Sequence, residues 1–502
     1  MRGTRSMALI FVVDNSETAT WSIGDIVVHL TRSEWDDYGF GTTFAVEIAD
    51  GAQRHSIGLT KIGQRGMKSD GAFGQTYFTP LAAVFDQLDD SYFSVGQDPE
   101  FYANLVGQTD LDTAREFLEA VQDLTQFDGN IEDLLLEDVV RKSLFRSVSI
   151  PTVENQFRRI LKGGEKNEQF SLTYYLRPED KSSSPLMAFE ADSSHSLPTN
   201  VHVIIGANGA GKTTALKNVR WALDNSDPEK HRPEFLSVRD RELISGVVSV
   251  SFSAFDVFED EERSDLDQAQ FRVQNVHLPW IDAGNTAHIG QQEVFSKLVA
   301  ACLEYRARRL IRLFRLLAEA DTVLESHDIA NPEALQNLNY ESLSSGHKIV
   351  LLTLANLVRF CDERTLVLLD EPESHLHPPL LGAFTRALST LMSEINGLAL
   401  VATHSPVVLQ EVPRQCAWQL WNVDGHTGVR QPEAETFGEN VGVLTRDIFG
   451  LSMVKSGYHS ILAGAAERNT DYQAALASLG GEIGDEAKLI LRSMYLKSER
   501  VL

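Results

Sequence analysis

Cysteine is nearly missing from this chain: Cys302, Cys361 and Cys416 are the only three in 502 residues. They are odd in number and far apart, with neither disulfide-framework nor zinc-ribbon spacing, which suits a reduced cytoplasm. No apolar run reaches the roughly 18 residues that span a bilayer, so no transmembrane helix and no membrane partner are expected. The short apolar stretch near the N-terminus (MALIFVVD) is cut off by acidic and polar residues. It reads as a strand rather than a signal peptide. Internal repeats and low-complexity tracts are absent as well.

Positive charge is scarce: 45 lysines and arginines stand against 71 acidic residues, a net charge of −26. Such a surface repels bare nucleic acid unless positive charge is gathered locally. One stretch gathers it, Tyr305 to Arg315 (YRARRLIRLFR). At helical spacing Arg308, Arg312 and Arg315 share a face, with Arg306 and Arg309 beside it. The simpler reading is a solvated face paired with Glu304, Glu319 and acidic neighbours. The other is a contact with DNA or a partner.

What is present is ordinary globular chemistry, 43% hydrophobic and 23% charged residues, in a length that allows several domains. Short alternating runs (GDIVVHLT, TTFAVEIADG, HSIGLTKIG) mark residues 1–97 as a β-rich module. Helical periodicity takes over in 98–164. Residues 165–290 hold a glycine loop after the strand-like VHVIIG, and 291–338 read as a helical arm. A second cluster of nucleotide-site residues occupies 339–425, and a mostly helical tail fills 426–502.

Four stretches carry chemistry. Gly206-Ala-Asn208-Gly209-Ala-Gly211-Lys212-Thr213-Thr214 fits a phosphate-binding loop, lying after an apolar strand and before a helix-forming run. Its glycines let backbone N–H groups turn toward phosphate oxygens; Lys212 reaches the β- and γ-phosphates and Thr213 ligates Mg²⁺. In TLVLLDEPESHLHPP a buried strand ends in Asp370 and Glu371, the first placed to support Mg²⁺, the second to activate a water. His404 follows another buried strand (GLALVAT) and is placed to sense a γ-phosphate. In ESLSSGHK a Ser-Ser-Gly turn opens a helix, so Ser344 is a phosphate ligand or only a helix cap.

In this order the four resemble the ABC-type P-loop ATPases, with Leu343 to His347 (LSSGH) where that family has Leu-Ser-Gly-Gly-Gln. The resemblance implies an α/β ATPase head, a P-loop mixed sheet with helices, joined here to the β-rich plus helical N-terminal module and the arm. It implies ATP and Mg²⁺ sandwiched between two copies, Ser344 and Gly346 completing in trans a site made by Gly206, Asn208, Gly209, Gly211, Lys212, Thr213, Thr214, Asp370, Glu371 as catalytic base and His404 as switch histidine. DEPESHLHP departs from the transporter branch and is similar to the soluble OLD, RecF and SMC-like ATPases, especially Septu- or PARIS-like ATPase subunits of anti-phage systems.

Three further expectations follow. The segment VVSVSFSAFDVFED is the candidate for a Mg²⁺-sensing switch loop, through Ser253, Phe255 and Asp256. His375 and His377 suggest a metal, but no third ligand is evident near them, and a role in the subunit interface is the stronger reading. No TOPRIM or HNH pattern occurs, and Asp265 and Asp267 read as solvated, so cutting of nucleic acid would fall to a separate nuclease or toxin effector, triggered by a phage component or nucleic acid. The leading expectation is thus a cytoplasmic ATPase switch. A RecF-like DNA clamp is the alternative, and a transporter subunit or a non-hydrolysing scaffold fits less well.

Overall fold

The computed structural model describes residues 9–14, 26–33, 36–50, 53–68, 76–163, 169–177, 186–192, 196–224, 229, 231–237, 241, 243–252, 271–276, 290–423, 426–453 and 457–498. The alternating runs at the N-terminus become strands β1 (Leu9–Val13), β2 (Ile26–Arg32), β3 (Phe40–Gly41), β4 (Thr43–Asp50), β5 (Gln53–Gln64), β6 (Tyr77–Phe78), β7 (Val84–Phe85) and β8 (Tyr92–Gly96). Six of them form one sheet in the order β7-β1-β2-β4-β5-β8, and β3 pairs with β6. One face of this sheet buries Phe11, Val28, Leu30, Phe44 and Val46 against helices Pro99–Gln108 and Leu111–Ala120, which contribute Phe101, Tyr102, Leu105, Phe117 and Leu118. Both helices start on an aspartate, Asp98 and Asp110, whose carboxylates accept first-turn amides, the usual N-cap chemistry.

The second body begins with the hairpin β9 (Phe170–Tyr175) and β10 (Leu186–Ala191). Its main sheet uses β11 (Val201–Ile205), β12 (Gly246–Ser251), β13 (Arg272–Val276), β14 (Thr365–Asp370), β15 (Leu398–Thr403), β16 (Ala417–Val423) and β17 (His426–Arg430), ordered β13-β12-β14-β15-β11-β16-β17. The first six are mutually parallel and only β17 runs against them. Parallel strands are covered on both faces, which is why β11, β14 and β15 are buried at every residue and read as mostly apolar runs.

One face is covered by the helix Lys212–Leu223 together with the β9–β10 hairpin. The other carries helices Gln291–Ala320, Ser345–Phe360 and Pro378–Glu394. The segment expected to be an arm therefore packs along the head. Its stripe Phe295, Leu298, Val299, Cys302, Leu310, Leu313, Phe314 and Leu317 is buried, and such a stripe projecting into water would forfeit that burial.

The basic stretch is also more than a solvated face. Arg306 is buried and leaves helical geometry (φ −139°, ψ 33°), breaking the long helix. Its guanidinium donates to the carbonyls of Val358 (2.6 Å), Cys361 (2.9 Å) and Ser147 (2.7 Å) and to Asp362 (2.6 Å), tying the N-terminal module to the head. Arg309 and Arg312 both face Glu394, and Arg159 pairs with Glu363. Arg308, Arg312 and Arg315 remain exposed.

All three cysteines are buried free thiols. Burial pushes the Cys302 thiol up to about 11 and that of Cys416 to about 12, so neither offers a thiolate at neutral pH. Ellman's reagent is expected to leave the native protein unreacted over minutes and to titrate three thiols after denaturation; rapid reaction of the native chain would contradict this packing. None of the described helices is long and apolar enough to cross a membrane.

Candidate functional site

The parallel register brings the ends of four strands level. Ser251 pairs with Asp370, Asp370 with Ala402, and Ile205 with Thr403, so the carboxyl ends of β12, β14, β15 and β11 share one edge. That edge of a parallel sheet, where the loops diverge, is the usual ligand crevice.

From β11 the chain enters Gly206. A Cβ there would lie 2.2 Å from the Leu420 carbonyl oxygen, so β16 leaves room for no side chain. Gly209 and Gly211 follow at φ +78° and +98°, left-handed conformations that glycine adopts without strain. Ala207, Asn208 and Gly209 form the exposed rim of the loop. Gly211 caps the helix Lys212–Leu223, whose first turn carries Thr213 and Thr214. Lys212 is buried, and its Nζ donates to the carbonyls of Gly206 (3.1 Å) and Ala207 (3.3 Å). The ammonium is thus held inside the loop's curve, with the positive end of the helix beside it.

Asp370 ends β14 with its side chain buried. A threonine hydroxyl with a buried carboxylate is a set of hard oxygen donors, and it fits Mg²⁺ with waters and phosphate completing the shell. Thr213 and Asp370 would hold the ion, which supplies charge neutralisation at the phosphates. Glu371 takes a left-handed conformation (φ +51°, ψ 56°) unusual for a side-chain-bearing residue. Strain of this kind costs on the order of 1 kcal/mol and collects at functional sites. The turn is fixed by its own amide, which donates to the Ala402 carbonyl at 2.9 Å.

His404 lies just past β15, its Nδ1 3.7 Å from Glu371 Oε1 and 3.0 Å from Glu373 Oε1. Glu373 is a residue the sequence reading missed. Its Oε1 accepts from the Thr403 hydroxyl and the His404 amide, each at 2.7 Å, so it fixes the His404 loop to the turn after β14. Its Oε2 is buried with no hydrogen-bond partner among the described residues. The signal was available in DEPE: a carboxylate two positions past Glu371 returns toward the neighbouring strand end.

The structure brings Lys212, Thr213, Asp370, Glu371 and His404 to one edge; Ser344 and Gly346 are held elsewhere. Ser344 caps the helix Ser345–Phe360, and its Oγ lies 2.9 Å from His347 Nδ1. A Cβ at Gly346 would meet the His375 carbonyl oxygen at 2.7 Å, so the Ser344–Gly346 turn is packed on the segment that follows Glu371. Among the described residues no hydrogen bond joins Ser344 to the phosphate loop. His347 Nε2 lies 3.0 Å from Asp321 Oδ2, and His377 Nε2 lies 3.3 Å from the same oxygen. Burial works against the charge of Asp321, but hydrogen bonds from His347 and from the Leu324 and Val323 amides outweigh it and hold the carboxyl below its ordinary range. Ser253, Phe255, Asp256, Asp265 and Asp267 lie outside the described residues.

Residues 329–410 match the family model described as "AAA domain, putative AbiEii toxin, Type IV TA system". That span holds the turn at Ser344–Gly346, the Asp370–Glu371 strand end and His404, and over it the chain is similar to AAA-type domains, consistent with a P-loop ATPase. Among solved structures, an inward-facing metal-chelate type ABC transporter is similar over 56% of this chain and 90% of its own, at 14% identity and a TM-score of 0.30, a likeness too slight to argue from. Protein ea59 of Escherichia phage lambda is 32% identical over 506 residues, covering 94% of this chain and 95% of that protein. On that full-length similarity, the chain belongs to the family of the phage lambda protein ea59.

Proposed function

We propose that the protein is an ABC-type ATPase working as a nucleotide-driven dimerisation switch. ATP binding joins the heads of two copies, Ser344 and Gly346 of each completing the site of the other, and hydrolysis lets the heads part. The observation that supports this reading is the division of the site residues. Lys212, Thr213, Asp370, Glu371 and His404 converge on one sheet edge, whereas Ser344 is bonded to His347 and to none of them. A signature that does not close on its own loop is available to a second copy.

In this reading the switch is the sensing component of a Septu- or PARIS-like anti-phage system and controls a separate nuclease or toxin effector, with a phage component or nucleic acid as trigger. The net charge of −26 favours a protein partner over extended nucleic acid. A family model named for a toxin system and a relative carried on a phage genome fit the same setting. The DNA-clamp reading has less to draw on, because Arg159, Arg306, Arg309 and Arg312 already face Glu363, Asp362 and Glu394 within the chain.

The test is the light-scattering mass of the Glu371→Gln protein with and without Mg²⁺ and ATP. A mass that doubles only with ATP is expected. A mass that ignores nucleotide would remove the dimerisation switch.

A further inference from the structure

We propose that Asp321, His347 and His377 form a binding site for one transition-metal dication per chain, with a preference for Zn²⁺, beside the signature turn and separate from the Mg²⁺-type donors Thr213 and Asp370. The His347–Asp321 and His377–Asp321 ligand atoms lie 3.0 and 3.3 Å apart, and all three fall within 4.8 Å of one another. Ligands held about 2.0–2.1 Å from a tetrahedral zinc are themselves roughly 3.3 Å apart. One of the three separations already has that value and a second is 0.3 Å short of it, and the half-exposed His377 ring is the ligand with room to close the third. Two imidazole nitrogens with one carboxylate suit zinc and its neighbours rather than Mg²⁺ or Ca²⁺, which take oxygen.

The surroundings prepare two of the three ligands, Asp321 and His347. Asp321 Oδ1 is engaged by the amides of Val323 (3.0 Å) and Leu324 (3.1 Å), which leaves Oδ2 directed at both histidines. Ser344 Oγ braces His347 Nδ1 at 2.9 Å, the kind of outer contact that sets the orientation and tautomer of a ligating imidazole. His377 Nδ1 accepts from the Leu380 amide at 3.4 Å. Coordination through Nε2 would put the neutral ring's proton on Nδ1, so this long contact is the one that gives way. The ligands come from three places: the end of the long helix, the first turn of the signature helix, and the cap of Pro378–Glu394. A metal here ties those three elements together. The partly exposed side of His377 leaves a position for water.

Metal binding also fixes the polarity of Ser344, a consequence that rests on the proposed role of Ser344 as a phosphate ligand in trans. With Nε2 on a metal, His347 carries its proton on Nδ1 and donates it to Ser344 Oγ. The serine's own proton is then turned away from His347 and is free for another acceptor. Without metal, neutral His347 donates through Nε2 to Asp321 and accepts a hydrogen bond from the Ser344 hydroxyl at Nδ1.

Calorimetric titration of the metal-stripped, nucleotide-free protein with Zn²⁺ tests the site without reference to ATP. One Zn²⁺ per chain is expected, with affinity falling about tenfold or more in both His377→Ala and His347→Gln, and unchanged in Asp370→Asn. His377 is half exposed and His347→Gln restores the glutamine common at that place in the signature, so neither variant should unfold; circular dichroism checks this. No stoichiometric binding by the wild type, or undiminished binding by the folded His377→Ala protein, would overturn the site. If zinc binds as expected and Mg²⁺-ATP turnover is the same with and without it, the site stands and only its link to Ser344 falls.

Discussion

Lys212→Ala is expected to weaken ATP binding by roughly 100- to 1,000-fold while leaving the fold intact. The buried Nζ is held by two carbonyls of its own loop, at 3.1 and 3.3 Å. Both belong to backbone that also bounds the phosphate crevice, so a phosphate entering the loop would exchange weak neutral acceptors for a charged one. Charge-assisted bonds of that kind are about twice as strong as neutral ones. A unit-charge pair near 4 Å is worth about 4 kcal/mol at an effective dielectric near 20; desolvation offsets part of that figure, which sets the lower end of the range. The fold loses little, because the glycine conformations and the Leu420 contact that shape the loop do not involve the lysine side chain. Titration with a fluorescent ATP analogue reads the affinity, and a melting curve without nucleotide reads the fold. Affinity within a few-fold of wild type in a folded variant would show that the loop is not the phosphate site.

How much of this could be read from residues alone depends on where each contact is made. β11, β14 and β15 were legible because a strand buried on both faces is mostly apolar, and the change to Gly206, Asp370 and His404 marks where each strand ends. The alternation in the N-terminal strands was legible for the complementary reason, a sheet with one covered face. What escaped were residues whose partners are distant in sequence. Asp321 stands 26 positions before His347 and looks like an ordinary N-cap, which it also is. The metal suggestion from His375 and His377 lacked a third ligand for that reason, and the histidine that joins the cluster besides His377 is His347, not His375. Arg306 looks like one more charge on a basic helix; only the fold reveals that it breaks the helix and spans two modules. The arm was misread because its apolar stripe does not say what covers it.

Glu371→Gln should bind ATP with near-normal affinity yet lose turnover by about 100- to 10,000-fold, the usual weight of a positioned general base. Glutamine is close in shape, so the left-handed turn and the Glu371 amide bond to Ala402 persist and the strand ends stay level. What is lost is an acceptor basic enough to take a proton from water; the amide oxygen can still orient one. His404 does not replace it, because its Nδ1 is already directed at Glu373, 3.0 Å away, and its backbone amide is bound to the same carboxylate. Glu373→Gln therefore separates base from brace. It keeps Glu371 and loosens the His404 loop, so turnover should fall less than in Glu371→Gln. Single-turnover phosphate release at saturating ATP distinguishes the two, since it excludes differences in binding. Wild-type turnover in Glu371→Gln would remove Glu371 as the base. A larger loss in Glu373→Gln than in Glu371→Gln would move that role to the carboxylate that contacts His404, leaving Glu371 as the residue that shapes the turn.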